Sequence, residues 1–355
     1  MAKVLLINPK VREEDVPKHV PYGIALLASI IMEKGHKVQV YDENAWRKGD
    51  KIIKQVLKAE EWDVIALGGI TTAYGNIKKI VSLSRLECPN AIIVLGGGVL
   101  TSIPQEIMFW LYQVDVGVIG EAFKTFPEIL KMVDEASNEF YEIPGTISKN
   151  EKGQIVLGPM RELIEDLDSL PYPAWDLFPL DEIYFPNSQS LFSEEGMISK
   201  RRLDINASYG CSLICRYCYH LGIAGDMRYE ESDNGETKIV FDEPGNYTRK
   251  IRYHSPEYIV DLINYAYKKY KIDFIGFLDE NLMTMDQYSN RTWMKGICEL
   301  LHEKGLVPKE KKDGTWSGIH WGGTSHATLH TPKILKIGTF YPWGGASGHL
   351  QLMKY

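Results

Sequence analysis

The sequence lacks the features that mark several specialised classes of protein. It has no run of about 18 consecutive apolar residues, so it predicts no membrane-spanning helix. Its five cysteines among 355 residues are too few and too clustered for a disulfide framework, which favours a reducing compartment. The net charge is -7 with both signs interspersed, which argues against a basic nucleic-acid-binding surface. We therefore expect a cytoplasmic protein with no nucleic-acid partner and no membrane span.

Apolar strand-forming segments alternate with segments of helical apolar periodicity through residues 1–137. The predicted strands are Lys3 to Ile7, Val38 to Tyr41, Val64 to Leu67, Ala91 to Leu95 and Val116 to Ile119. The predicted helices are Tyr22 to Lys34, Lys51 to Ala59, Ala73 to Leu86, Ile103 to Leu111 and Phe123 to Val133. Continuous apolar strands that alternate with helices are typical of a parallel sheet covered on both faces. Residues 1–137 are therefore predicted to form a doubly wound α/β domain of the flavodoxin or Rossmann type.

Glycines and small hydroxyls are concentrated where three of these strands end. The third strand is followed by Gly68 to Thr72, the fourth by Gly96 to Gly98 and the fifth by Gly120 and Glu121. In a parallel sheet, ligands bind at the carboxyl ends of the strands, and glycine lets a large ligand approach the backbone. Tight turns in ligand-free domains also use glycine, so both interpretations stay open. No G-x-G-x-x-G follows the first strand, which argues against a dinucleotide.

Residues 138–198 are predicted to be an interdomain hairpin and strap. The segment "PGTISKNEKGQIVLGP" predicts a hairpin that turns at Asn150 to Gly153. The segment "DLDSLPYPAWDLFPL" contains three prolines, which exclude a regular helix. We expect an extended strap that packs across both domains, with a passive linker anchored by Trp175 and Phe178 as the alternative.

The segment "CSLICRYC" carries three cysteines, Cys211, Cys215 and Cys218, with the spacing C-x3-C-x2-C. Thiolates are soft ligands for iron or zinc. A 4Fe–4S cluster usually takes four cysteines, so three would leave one iron open to bind a substrate directly. The alternative is a zinc site completed by His220. Cys88 and Cys298 lie in helical patterns and are predicted to be buried small hydrophobic residues.

This cysteine loop resembles the signature of the radical S-adenosylmethionine enzymes, and Tyr217, the aromatic residue before the last cysteine, is part of that pattern. The N-terminal half is similar to the cobalamin-binding domain that precedes this core in one large subclass. The segments that carry this similarity are "VPYGIALLASIIMEKGHKVQVYD", "WDVIALGGITTAYGNIKKI", "IVLGGGVLTSIPQEI", "VDVGVIGEAFKTFPEIL" and, as the strap, "EDLDSLPYPAWDLFP". Together these motifs cover most of residues 1–220.

The resemblance implies three cofactors. The three cysteines would ligate a 4Fe–4S cluster, and S-adenosylmethionine would be bound by Tyr217, Asp279, Glu280 and Asn281. Cobalamin would be bound by Tyr22, Thr71, Thr72, Gly96, Gly97, Gly98, Gly120 and Glu121. The signature D-x-H-x-x-G, which supplies a histidine to cobalt in other cobalamin-binding domains, is missing from the sequence, so the resemblance implies a lower face of cobalt without that histidine, as in the subclass.

The resemblance also implies an activity. We expect a cobalamin-dependent radical methyltransferase that acts on an unactivated carbon through a 5'-deoxyadenosyl radical. Its partners would be an electron donor such as flavodoxin or ferredoxin, and a substrate that is an unknown small molecule or protein. The alternatives are a radical cyclase or rearrangement enzyme with the same cofactors, or a truncated, non-catalytic corrinoid and iron–sulfur protein.

Residues 199–355 are predicted to form the radical S-adenosylmethionine core. A strand from Leu203 to Ala207 leads into the cysteine loop, and Ser255 with Pro256 begins a helix that ends at Tyr270. A strand from Phe274 to Leu278, a helix to Lys304 and a strand near Ile319 to Trp321 complete about two and a half βα units. The apolar period is lost after "HTPKILK", so we expect a partial barrel that lacks the C-terminal half implied by the family.

Overall fold

The computed structural model describes residues 1–14, 16–188, 199–210, 227–231, 237–241, 251–314, 316–326 and 351–353. Every structural statement below concerns these residues. The predicted cluster ligands Cys211, Cys215 and Cys218, together with Tyr217 and His220, lie outside the described residues. No helix within the described ranges is long and apolar enough to cross a membrane.

The N-terminal part is built on a seven-stranded sheet with the order β2-β1-β3-β4-β5-β6-β7. Its strands are β1 (Lys3–Asn8), β2 (Lys37–Asp42), β3 (Val64–Gly68), β4 (Ile92–Gly96), β5 (Val116–Val118), β6 (Thr146–Lys149) and β7 (Ile155–Leu157). The first five strands pair in parallel, in the flavodoxin-like order. This confirms the predicted doubly wound class. The predicted hairpin is β6 and β7, which extend the sheet by two antiparallel strands beyond residue 137.

Helices cover both faces of this sheet. They are α1 (Tyr22–Glu33), α2 (Glu43–Trp46), α3 (Asp50–Leu57), α4 (Tyr74–Glu87), α5 (Gly98–Ser102), α6 (Pro104–Trp110) and α7 (Ala122–Asp134). Alternate residues of β1 enter two separate cores, because successive strand residues point to opposite faces. Leu5 packs with α3 and α4, whereas Val4 packs with α1 and α7.

Two short helices differ from the sequence prediction. Helix α2 was not predicted, because it has only four residues; Asp42 caps it by accepting a hydrogen bond from the N–H of Ala45 at 3.0 Å. The helix predicted from Ile103 to Leu111 is preceded by a separate one, α5. The break falls at Ile103 because Pro104, which has no N–H, begins α6.

The strap between the two sheets contains short helical turns instead of a regular helix. They are 3-10 turns at Leu167–Ser169, Trp175–Leu177 and Phe185–Asn187 and a π-helical turn at Leu180–Tyr184. Trp175 is fully buried, and it belongs to one continuous hydrophobic core with Leu26 of α1 and Leu203 of the second sheet. The strap therefore packs against both halves of the chain.

The C-terminal part is built on a three-stranded parallel sheet in the order β16-β13-β8. In chain order the strands are β8 (Arg202–Ile205), β9 (Ser208–Tyr209), β10 (Met227–Glu231), β11 (Thr237–Phe241), β12 (Arg252–Tyr253), β13 (Phe274–Phe277), β14 (Lys309–Glu310), β15 (Trp316–Ser317), β16 (His320–Gly322), β17 (Thr324–His326) and β18 (Gln351–Met353). The helices are α8 (Pro256–Tyr270), α9 (Thr284–Tyr288) and α10 (Trp293–Glu303). Ser255 caps α8 as predicted, since its hydroxyl accepts the N–H of Tyr258 at 3.1 Å.

The two faces of this second sheet have different chemistry. Leu203 and Ile275 point to one face, where they pack against α8 and α10 in the hydrophobic core. The alternate residues Arg202, Asp204 and Gly276 therefore lie on the opposite face, which carries buried charges. Cys298 is buried in α10, as predicted, whereas Cys88 is only half-buried, because it lies just after the last residue of α4.

Candidate cofactor site at the domain interface

Two glycine-rich loops lie side by side at the carboxyl edge of the first sheet. Gly97 follows β4 with a φ of +80°, and a Cβ there would lie 2.8 Å from both the N and the O of Gly69. The N–H of Val99 donates to the carbonyl of Gly69 at 2.9 Å. Glycine at position 97 is therefore required by the packing of one loop on the other.

Few side chains cover the edge that these loops form. Gly97, Thr71 and Thr72 are exposed, and Ile70 is 53% exposed although it is a large apolar residue. A Cβ on Gly98 would meet no atom closer than 3.9 Å. Exposed apolar and hydroxyl groups beside accessible backbone fit a large, flat ligand. The structure brings together the predicted residues Thr71, Thr72 and Gly96 to Gly98 on this edge, which we call the glycine shelf.

The end of β5 is fixed to the second half of the chain. Gly120 has a φ of +73° and donates its N–H to Thr101 Oγ1 at 3.0 Å. Both carboxylate oxygens of Glu121 pair with the Arg252 guanidinium of β12, with Nη1 3.0 Å from Oε2. The two side chains are 8% and 3% exposed, and Arg252 also donates to the carbonyl of Ile164 in the strap at 2.7 Å. The Glu121 carboxylate is thus engaged in a buried interdomain ion pair.

The same ion pair holds the strand that enters the cysteine loop. Strand β9 pairs with β12, and Tyr209 lies opposite Arg252. The Tyr209 ring makes an edge-to-face contact with Phe123 of α7, with centroids 5.6 Å apart. Burial holds the pKa of Tyr209 well above its ordinary value, so the phenol stays neutral. Only Gly210, with a φ of +107°, separates Tyr209 from Cys211. The chain therefore enters the cysteine loop beside the carboxyl edge of the first sheet.

Tyr22 lies between the two halves of the chain. It is the first residue of α1 and is 4% exposed. Burial, with Tyr209 and Asp279 nearby, holds its pKa well above the ordinary value, so the hydroxyl remains protonated. The structure thus places Tyr22 at the interface with the second sheet, near Asp279, instead of on the glycine shelf.

Asp279 follows β13 and holds the corner of the chain between β8 and β9. Its Oδ2 accepts the N–H of Ala207 at 2.8 Å, and its Oδ1 accepts the Ser208 hydroxyl at 2.5 Å. Burial raises its pKa to about 6, although these hydrogen bonds favour the charged form. Of its predicted companions, Glu280 is exposed and Asn281 is buried. Both oxygens of Asp279 are therefore occupied within the chain, and a role with S-adenosylmethionine stays a prediction.

Several interface residues were missed by the sequence analysis. Arg252 acts through the docking of the two halves, and Ser208 acts through a contact with Asp279, 71 residues further along the chain. The local sequence indicates neither contact. Arg202 and Asp204 could have been found, because charged residues at alternate positions of a predicted buried strand indicate a polar face. His19 lies in the loop between β1 and α1, and its contact with Asp204 spans 185 residues of sequence.

Comparisons with known proteins agree with this architecture. Residues 11–130 match the family model of the B12 binding domain. An uncharacterized methyltransferase of Pyrococcus horikoshii is 29% identical over 188 residues, which are 51% of this chain and 39% of that protein. The anaerobic magnesium-protoporphyrin IX monomethyl ester cyclase of Synechocystis is 24% identical over 248 residues, which are 67% of this chain and 46% of that protein.

Two solved structures share the fold over nearly all of the chain. TsrM from Kitasatospora setae, a radical S-adenosylmethionine methyltransferase with cobalamin and a 4Fe–4S cluster bound, matches with a TM-score of 0.64 at 14% identity, over 96% of this chain and 57% of that chain. OxsB, a cobalamin-dependent S-adenosylmethionine radical enzyme with aqua-cobalamin bound, matches with a TM-score of 0.67 at 20% identity, over 98% of this chain and 43% of that chain.

The matched regions span between 39% and 57% of the length of these four proteins. The agreement is therefore one of domain family and of fold. Residues 11–130 match the B12 binding domain, and the chain shares its fold with TsrM and OxsB.

Proposed function

We propose that this chain is a cobalamin-dependent radical S-adenosylmethionine enzyme, and that it is a methyltransferase acting on an unactivated carbon. The observation that carries the proposal is the position of β9. The Glu121–Arg252 pair and the Phe123–Tyr209 contact fix the entry of the cysteine loop beside the carboxyl edge of the B12-binding sheet. Two cofactors held at these adjacent places would meet at one interface.

The residues that would hold each cofactor follow from this arrangement. Thr71, Thr72 and the backbone of Gly96 to Gly98 would hold cobalamin on the glycine shelf. Cys211, Cys215 and Cys218 would hold the 4Fe–4S cluster, with Tyr217 beside S-adenosylmethionine. When bound, these cofactors supply a radical and a transferable methyl group. The division into residues 1–137, 138–198 and 199–355 remains part of this proposal.

The chain's own residues would position these groups and exclude water. Arg252 and Glu121 hold the two halves together at the end of β5. Asp279 holds Ala207 and Ser208, where β9 begins on its way to the cysteine loop. The neutral Tyr22 is buried near Tyr209 and Asp279. Preorganised, water-poor surroundings of this kind protect a reactive intermediate from side reactions.

The alternative activity is a radical cyclisation or rearrangement that uses the same cofactors. The similarity to the Synechocystis cyclase, over 67% of this chain, favours it as the second candidate. An electron donor such as flavodoxin or ferredoxin would serve either reaction. The substrate would be a small molecule or a protein side chain.

The test is to identify what the reconstituted, reduced chain makes from S-adenosylmethionine. A methyltransferase should release S-adenosylhomocysteine together with 5'-deoxyadenosine, and its product should be heavier by one methyl group. Release of 5'-deoxyadenosine without S-adenosylhomocysteine would contradict methyl transfer in favour of the alternative. If a chain with cluster and cobalamin bound releases neither nucleoside, both activities are contradicted. Cys215→Ala should abolish both products and serves as the blank.

A further inference from the structure

The loop between β1 and α1 contacts the second half of the chain through a charged network. Nδ1 of its His19 lies 2.8 Å from Asp204 Oδ2 on β8. Arg202, two residues earlier on the same strand, donates from Nε to Asp204 Oδ1 at 2.7 Å. Arg202 and Asp204 are each 3% exposed, whereas His19 is 48% exposed. The network therefore runs from a buried pair on the second sheet to a half-exposed side chain of the first half.

The other end of this loop is fixed to the first half of the chain. The N–H of Lys10 donates to Glu43 Oε2 at 2.7 Å, and the N–H of Val11 donates to Asn44 Oδ1 at 3.1 Å. Asn76 of α4 donates to the carbonyl of Lys10 at 2.9 Å. The loop is therefore held by α2 and α4 at its start and by β8 at His19.

The loop borders the same carboxyl edge as the glycine shelf. A cavity of about 440 Å³ is lined by Val11 and Arg12 of the loop and by Thr72 of the shelf. A second cavity, of about 650 Å³, shares Val11 and Arg12 and is also lined by His19. Because the two cavities share these residues, they adjoin each other. The position of the loop therefore sets the space available beside Thr72.

The second sheet accommodates the buried pair by omitting a side chain. Gly276 lies beside the pair on β13, and a Cβ there would clash with Asp204 Oδ1 and lie 2.7 Å from Arg202 Nη2. Packed apolar residues are often as stable as a buried ion pair, or more stable, because burying two charges is unfavourable. Stability alone therefore does not explain the pair. Its contact with His19 gives it a role that apolar residues could not fill.

This contact is a hydrogen bond to a charged group. A carboxylate only accepts hydrogen bonds, so the 2.8 Å distance requires a proton on Nδ1 of His19. Arg202 Nη2 also lies 3.3 Å from Nδ1, but a protonated Nδ1 cannot accept from it, so this longer contact is not a hydrogen bond. Hydrogen bonds to charged groups are stronger than those between neutral groups. The link between β8 and the loop is thus of the stronger kind.

We propose that the Arg202–Asp204 pair positions the loop between β1 and α1 at the cofactor edge, with His19 as the link. This inference rests on the proposed function, because the ligand is the cobalamin of the glycine shelf. A loop that is already held in place loses less conformational entropy when the ligand binds. The affinity for cobalamin therefore depends on two buried charges in the other half of the chain. Both are positioning residues that act through His19.

The first test measures the Kd of hydroxocobalamin for the full chain by isothermal titration calorimetry. Arg202→Met together with Asp204→Leu, the apolar-pair variant, removes the acceptor of His19 without leaving a buried charge unpaired. Its Kd should rise about tenfold, as expected for loss of a hydrogen bond to a charged group. His19→Leu should raise the Kd equally. His19→Asn should preserve it, because the amide NH2 takes the place of Nδ1–H.

His302→Leu is the matched control for the histidine variants. His302 is an exposed histidine in the last turn of α10, so its loss should leave the Kd unchanged. An unchanged Kd in the apolar-pair variant or in His19→Leu would overturn the proposal. Equal increases in His19→Asn and His19→Leu would also overturn it, since the hydrogen bond would then not matter.

A combined variant tests whether the pair acts through the histidine. If it does, adding His19→Leu to the apolar-pair variant should not raise the Kd further, because one interaction is lost only once. Effects that multiply to about a hundredfold would mean that His19 and the pair act independently. That result would overturn the proposal.

The second test needs no cobalamin, so it separates this proposal from the proposed function. Lys18 is exposed and precedes His19, so the rate of tryptic cleavage after Lys18 reports how often the loop opens. This rate should rise about tenfold in the apolar-pair variant. It should not change in Asp176→Asn, which removes an exposed pair with Lys269. An unchanged rate in the apolar-pair variant would overturn the proposal. If the unchanged chain binds no hydroxocobalamin, the proposed function is contradicted, and the cleavage rate still decides whether the pair holds the loop.

Discussion

Two buried arginine–carboxylate pairs lie at the domain interface, and they differ in whether their hydrogen bonds continue to an exposed side chain. Glu121 and Arg252 are both nearly inaccessible, and Arg252 also donates to the strap carbonyl of Ile164 and lies over the Tyr209 ring. Asp204 and Arg202 are equally buried but continue to His19, which is about half exposed. The first pair is a closed clamp between the halves, and the second continues to a half-exposed side chain. Buried charge at this interface thus fixes position in one place and reaches the surface in the other.

Breaking the clamp should have the largest effect on stability. Glu121→Gln leaves Arg252 as an uncompensated buried charge, and the free energy of unfolding should fall by about 3–5 kcal/mol. Urea unfolding measures this change. Asp176→Asn, in the exposed pair with Lys269, is the control and should cost about 1 kcal/mol or less. If Glu121→Gln is no more destabilising than this control, the clamp is contradicted.

Asp279 accepts hydrogen bonds from Ala207 and Ser208, just before the cysteine loop. Its titration should be visible in the pH dependence of the free energy of unfolding. Because its pKa is raised to about 6 in the folded chain, the folded state holds the proton more tightly than the unfolded state. Its contribution to stability is complete below the unfolded pKa near 4 and is lost as the pH rises through about 6. The difference is about 3 kcal/mol. The Asp279→Asn variant should lack this pH-dependent fall, and an unchanged pH profile in urea unfolding would refute the assignment.

A methyl group added at Gly276 should disturb the Arg202–Asp204 pair and leave the Glu121–Arg252 pair in place. Gly276→Ala places a Cβ against Asp204 Oδ1, so it should destabilise the chain by about 1–3 kcal/mol and alter the His19 tautomer. Gly23→Ala is the matched control, because a Cβ at that helical position meets nothing within 4 Å. Calorimetry with ¹⁵N NMR measures both effects. Loss of stability with an unchanged His19 ring would show that the pair and the histidine are not linked.

Removing the exposed end of the second pair should have the smallest effect on stability. His19→Gln keeps the Arg202–Asp204 pair, so the free energy of unfolding should change by about 1 kcal/mol or less. Urea unfolding of His19→Gln and of Glu121→Gln compares the loss of stability at the half-exposed histidine with the loss at the buried ion pair. A loss at His19 as large as that at Glu121 would remove the distinction.

The sequence predicted the N-terminal fold well because its strands are continuous apolar runs with helices between them. Strands β1 to β5 and the parallel class followed from this pattern. The short helices α2 and α5 were missed because four or five residues carry too little periodicity. The hairpin was predicted, but its membership of the first sheet was not, since turn chemistry does not specify which edge a hairpin joins.

The residues of the candidate site could be predicted only where a single sequence segment contains the motif that identifies them. Thr71, Thr72 and the glycines of β4 follow strands that the sequence identifies, so their common edge could be inferred. Glu121 was predicted to bind cobalamin because it follows the fifth strand. The structure pairs it instead with Arg252, 131 residues away, which the sequence does not indicate. The Glu121–Arg252 and His19–Asp204 contacts depend on how the two domains dock. The local sequence pattern does not specify that docking.

The cysteine loop should hold an iron–sulfur cluster beside a bound cobalamin. Anaerobic reconstitution with iron, sulfide and hydroxocobalamin, followed by metal analysis, measures both cofactors in one sample. We expect about four irons and about one cobalt per chain. Cys215→Ala should lose the iron and keep the cobalt, whereas Cys88→Ala, at a half-buried cysteine, should keep both. Zinc without iron, or iron that survives Cys215→Ala, would show that these cysteines do not hold an iron–sulfur cluster.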